Sequence, residues 1–221
     1  MFHKKLRKQM KRREDGGAWQ QQNRETAEET ARRAAQSGNA YDELVAKAAR
    51  YVTEEDWRKA GKAYREAIAL KPDEPLAYFN LGAALGNSGH LVEAAQRFLE
   101  ASERSPVGSE GWAIATAAAF DMLTKDECAE VAKPEWWNDE ELKARSARVV
   151  RAAPNFLRAQ TMRAFVLSGR LMAWDAGPRS AAELREAAAH WDRAAALTDA
   201  PAVKAGHASN AATSRSWADA M

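Results

Sequence analysis

Four histidines and one cysteine are the residue types in this chain best suited to bind metals or attack substrates. His3, His90, His190 and His207 are scattered, and no pair stands at the His-x3-His spacing that places two rings on one helix face. Cys128 is alone, so neither a Cys-x2-Cys hook nor an intramolecular disulfide is open to it. The sequence has no glycine-rich phosphate loop and no G-x-S-x-G elbow. Carboxylates cluster at Glu127/Glu130 and at Asp139/Glu140/Glu141. Those spacings suit the solvated face of a helix better than a paired acid and base. The expectation is a protein that is not an enzyme and holds no metal or cofactor.

Two other residue classes point to binding. Lys4, Lys5, Arg7, Lys8, Lys11, Arg12 and Arg13 put seven cations and no carboxylate in the first 13 residues. The rest of the chain holds the other 26 of 33 basic residues against all 31 acidic ones, so the body is mildly acidic. Such a tail suits weak contact with nucleic-acid phosphates, nuclear import or an anionic membrane, and equally a solvated arm. Phe2 is its one aromatic, which gives little for base stacking. The eight tryptophans are the second class. Trp57, Trp112 and Trp191 fall at helical core positions. Trp136-Trp137, beside Pro134, suits either an exposed docking element or a plug folded back on the body.

These residues must be positioned by helices. Seven prolines, twelve glycines and few β-branched residues leave room for long helices. No apolar run approaches the roughly 20 residues that span a bilayer. The N-terminus lacks the apolar stretch of a secretory signal. A soluble, cytoplasmic or nuclear protein is expected. Residues 1–17 read as a basic tail and 18–40 as a polar helical linker ended by Ser37-Gly38-Asn39.

From Tyr41 onward the chain repeats. Residues 75–108 contain Tyr78-x2-Leu81-Gly82-x2-Leu85, then Ala94-x3-Phe98, Ala101 and Pro106. Thirty-four residues earlier stand Leu44-x2-Lys47-Ala48-x2-Tyr51, then Ala60-x3-Tyr64, Ala67 and Pro72. This pattern resembles the tetratricopeptide repeat closely over 41–108. In the first unit Thr53 is placed to cap the helix that carries Trp57. A third unit follows at 109–156, with helices over 109–123 and 139–152. Its pattern proline, Pro154, comes 48 residues after Pro106, so 124–138 is an insert. A fourth unit, 157–202, carries a second insert at 171–180 with Trp174, and a helix over 181–197. A final helix, 203–221 in outline, has the small and polar residues of a cap.

The resemblance implies an all-α, right-handed α-solenoid of four helix-turn-helix hairpins plus a C-terminal capping helix. It also implies a protein-interaction scaffold whose first helices line a concave groove for a peptide or helix. On the matching positions that groove is faced by Val45, Ala49, Val52, Phe79, Asn80, Ala83, Ala113, Ala117, Phe120, Thr161 and Phe165. The surface is mostly apolar. Family members that hold the acidic C-terminal tails of heat-shock chaperones use a set of Lys, Asn and Arg. Of that set Asn80 alone is present, because Val45, Ala49, Glu110 and Ile114 occupy the other positions. A chaperone tail is therefore not the expected partner, and a different protein or peptide is. Cys128 stands at the offset of the small residue Ala94 and reads as a buried structural thiol.

Overall fold

The helix ends follow from short polar residues, prolines and one glycine. The computed structural model describes Glu29, Arg32, Ala34, Gln36 and residues 38–221 except Met172. The tail from Lys4 to Arg13 and most of the expected 18–40 helical linker lie outside the described residues. Among the described residues there are nine α-helices, a short 3-10 turn and no strand. The chain divides into two compact units, Met1–Gly89 and His90–Met221. The boundary falls inside the 75–108 repeat.

The first unit contains α1 (Ala40–Thr53), α2 (Trp57–Leu70) and α3 (Pro75–Asn87). Asn39 caps α1 by accepting from the Asp42 amide at 2.9 Å. Asp42 and Glu43 favour the positive end of its dipole and Arg50 the negative end. The expected cap at Thr53 is not there. Thr53 is the last residue of α1, and its hydroxyl donates back to the Arg50 carbonyl at 2.7 Å. Asp56 caps α2 instead, accepting from the Lys59 amide at 3.1 Å. Asp56 lies next to the first helical residue, where a side chain can reach the orphan N–H groups. Pro75 opens α3 at a position whose N–H would have no partner in any case.

Small residues let these helices approach. Ala48, Ala60 and Ala67 are fully buried where α1 packs on α2 and α2 on α3. A Cβ on Gly61 would stand 3.6 Å from Leu81 of α3. Tyr41, Tyr64, Tyr78, Leu81 and Leu85 fill the remaining space. Burial pushes the Tyr64 hydroxyl pKa well above its ordinary value, which marks how dry this core is.

The second unit contains α4 (Leu91–Arg104), α5 (Glu110–Leu123), α6 (Asp139–Ala152), α7 (Leu157–Ser168), α8 (Ala181–Ala196) and α9 (Pro201–Asp219). Successive helices pack on one another, and the first helices of adjacent hairpins, α5 and α7, also touch. Ser109 and Asn138 cap α5 and α6. Ser180 and Glu183 form a reciprocal capping box on α8. Two cores result. One joins Trp112, Phe120, Leu142, Val149 and Met162. The other joins Ala164, Ala188, Trp191, Ala194 and Ala211 beneath α9. Cys128 is buried on the 3-10 turn Asp126–Cys128 rather than on the α-helix that its repeat offset implies. Burial pushes its thiol pKa up, against the reactive direction.

The repeat also explains one strained residue. Gly89, in the turn after α3, has φ 89°, and Glu55, thirty-four residues earlier in the turn after α1, has φ 57°. A side chain there is disfavoured by about 1–2 kcal/mol, and glycine is not. We therefore expect Glu55→Gly to raise thermal stability by about 0.5–1 kcal/mol after its extra unfolded-state entropy. Gly89→Ala should lower it by about 1 kcal/mol, since open space surrounds that position and φ is the sole obstacle. Paired denaturation curves of the two variants check both signs.

Candidate functional site

The eleven groove positions do not share one environment. In the first unit Val45 is buried, whereas Ala49 and Val52 on α1 and Phe79, Asn80 and Ala83 on α3 are half-buried. The accessible set is thus apolar apart from the Asn80 amide. Phe79 takes part in contacts with its surroundings.

In the second unit the corresponding face of α5 is covered by the chain itself. Ala113 and Ala117 are fully buried and Phe120 is 2% exposed. The two inserts fold back over them. The Phe120 ring lies 5.4 Å from the Trp137 ring and 5.9 Å from the Trp174 ring. Trp136 packs 5.7 Å from Trp137, and Trp174 meets Trp137 edge-on at 6.2 Å. The tryptophan pair beside Pro134 is therefore part of a plug rather than a free docking element. In this structure Ala113, Ala117 and Phe120 are core residues and not a surface open to a ligand. Thr161 is half-buried and donates to the Arg158 carbonyl at 3.1 Å. Phe165 sets its ring edge-on against Trp191 at 4.6 Å.

Polar contacts hold the plug. The Trp137 indole donates to the Ala173 carbonyl at 2.8 Å, so one insert is hydrogen-bonded to the other. Lys133 gives its ammonium to the Cys128 carbonyl at 2.6 Å and to the Leu123 carbonyl at 3.3 Å, closing the first insert on the end of α5. Asp139, the first residue of α6, receives Arg179 on both carboxylate oxygens at 2.5 and 2.8 Å. It also accepts from the Trp174 indole at 3.2 Å, while Lys143 approaches at 3.3 Å. The Arg179 hydrogen bonds hold the Asp139 pKa at about 2, against the opposing pull of burial. Lys143 also bonds Glu183 at 2.7 Å. Burial works against Glu183, but the bonds from Lys143 and Ser180 outweigh it and bring its pKa to about 2.

The buried histidine is likewise explained by structure. The Gln160 side-chain amide donates to the Pro154 carbonyl at 2.6 Å, which turns its carbonyl oxygen toward His190. His190 Nδ1 must then carry a proton to fill that 2.6 Å contact. Burial, and then Arg193, lower the His190 pKa. His207 stacks on Trp191 at 5.3 Å, and burial lowers its pKa as well. Both rings serve the cores. Among the described residues no three His, Cys, Asp or Glu side chains group to hold a metal ion.

Sequence reasoning placed Asp139 on a solvated face and did not single out Arg179. The pair joins residues forty apart across an irregular insert, where no periodic signal exists. The pair generates a pH prediction. Both carboxylates have folded pKa values near 2, below unfolded values of about 4. The stability they supply is complete above about pH 4 and drains away as pH falls toward 2. Near-UV circular dichroism of the tryptophans should follow that loss. Asp139→Ala should cost about 3 kcal/mol at neutral pH, because it strands the nearly buried Arg179 charge, and should flatten the acid limb.

Comparison with known proteins adds one match. No curated protein matches the sequence. A family model described as the TPR repeat matches residues 49–89, from the last turn of α1 through α2 and α3. That segment lies inside the stretch where the 34-residue pattern was read. Residues 49–89 therefore carry a tetratricopeptide repeat within an all-α, helical-hairpin chain, and the repeat supports a general role in protein–protein interaction.

Proposed function

We propose that this protein is an adaptor that binds a peptide or helix of a partner protein against the first unit. The contact residues are Ala49, Val52, Phe79, Asn80 and Ala83. One observation carries the reading. These positions on α1 and α3 stay half-accessible, whereas the matching face of α5 is covered by the inserts. A half-buried phenylalanine among alanine and valine suits an apolar anchor from the partner. Asn80 adds one amide that can bond a peptide backbone. The cations that a chaperone-tail clamp needs are missing, so an acidic chaperone C-terminus is not the proposed occupant of this face. Thr161 and Phe165 are part of the second unit's own packing and are left out of it. No catalytic role is proposed. No helix among the described residues is long and apolar enough to cross a membrane, and an intracellular place of action is part of the proposal.

A second reading rests on the seven cations of residues 1–13. It makes the protein an adaptor localised to nucleic acid, the nucleus or an anionic membrane by its tail. The two readings separate by variant and by salt. A partner should survive deletion of residues 1–36, weaken at least about ten-fold with Phe79→Glu/Ala83→Arg, and respond little to salt. Loss with the deletion, retention by the double variant and a steep salt dependence would assign function to the tail instead. Pull-down followed by titration with the purified partner makes the measurement.

A further inference from the structure

Three arginines of the second unit pack against its interior, and their surroundings differ. Arg179 bonds Asp139 and the carbonyls of Gly177 and Val166. Arg163 bonds Glu186, the Lys143 carbonyl and the Ser146 hydroxyl. Arg145, on α6, has no hydrogen bond and no ion pair among the described residues. Its neighbours are aromatic. The guanidinium lies 4.5 Å from the Trp136 ring centroid and 5.5 Å from that of Trp112. Its Nε is shut off from solvent without a partner, while the two Nη atoms are not.

The electrostatics point the same way. Arg148, one turn along α6, is exposed. Burial, and then the charge of Arg148, pull the Arg145 pKa down, and Glu141 offsets this in part. The group remains charged, because an arginine does not lose its proton in a protein. A planar cation steadied by two rings keeps its fork of Nη donors fixed, which lowers the ordering cost of receiving a planar anion. A carboxylate matches that fork in a bidentate pair. The exposed Glu135, Glu140 and Glu141 stand near in sequence and repel any run of anions, so the fork suits one isolated carboxylate and not the successive phosphates of a nucleic-acid strand.

We propose that Arg145, packed against the Trp112 and Trp136 rings and reinforced by Arg148, is the receptor for a single carboxylate side chain of a partner peptide. This site goes beyond the interaction face of the first unit. It uses other residues, so its failure would leave that reading untouched.

The test uses the full chain and a fluorescein-labelled peptide with one glutamate among alanines and serines, followed by anisotropy at physiological salt. Its glutamine counterpart and a short oligothymidylate are the comparison probes. The glutamate peptide should bind, and the glutamine peptide should bind at least about ten-fold more weakly. Arg145→Gln should weaken the glutamate peptide by about ten-fold or more. Arg145→Lys keeps the charge but not the fork, and should weaken it several-fold. It also decides the matter if Arg145→Gln is shown by circular dichroism not to fold. Arg193→Gln removes an exposed arginine from α8 and should change binding by less than about two-fold. Three results would each overturn the proposal: no binding of the glutamate peptide, equal losses at Arg145 and Arg193, or tighter binding of the oligonucleotide through Arg145.

Discussion

Asp139 takes both Arg179 nitrogens and the Trp174 indole on its carboxylate, and so ties the insert between α7 and α8 to the first turn of α6. The second unit depends on that attachment. It sets Trp174 over Phe120, where Trp137 from the other insert already lies. The position is favourable for the carboxylate in two ways. It stands at the positive end of the α6 dipole, and Arg179 supplies a counter-charge. A carboxylate expected on a solvated helix face becomes the anchor of an irregular segment.

The consequence is a difference in what the two units offer a partner. A helical hairpin cannot bury its own apolar stripe, so each repeat needs a neighbour or a cover. In the second unit the cover comes from within, as two inserts rich in tryptophan. In the first unit Val45 is buried, but Ala49 and Val52 on α1 and Phe79, Asn80 and Ala83 on α3 remain half-accessible. The positions are the same by sequence, but the surface available for binding is not.

The sequence made the regular parts legible for physical reasons. The 34-residue spacing of small and large anchors marks close helix contacts, and the prolines mark where helices cannot continue. The expected helix 139–152 is found at those residues, because Asn138 caps it, three carboxylates favour its first turn, and Pro154 follows its end. Thr53 loses the cap because two capping residues, Thr53 and Asp56, stand three apart, and the one adjacent to the helix wins. Phe120 looks like groove in the sequence because its cover has no periodicity. The bonds that fold the inserts link residues 35 to 40 apart, and nothing local announces them. Cys128 was rightly read as buried, but the register that suggested it ends in a 3-10 turn. The tail, the sequence's strongest charge signal, lies outside the described residues.

The central claim is that the face of α5 is core while the face of α3 is surface, and truncation of one aromatic from each tests it most directly. Equilibrium unfolding of Phe120→Ala and Phe79→Ala should give a loss of about 3–5 kcal/mol for the first. The half-buried Phe79 should cost less, about 1 kcal/mol. Equal, small losses at both positions would contradict the account, for they would mean that the tryptophan inserts do not cover Phe120 and that the second unit carries an open groove after all.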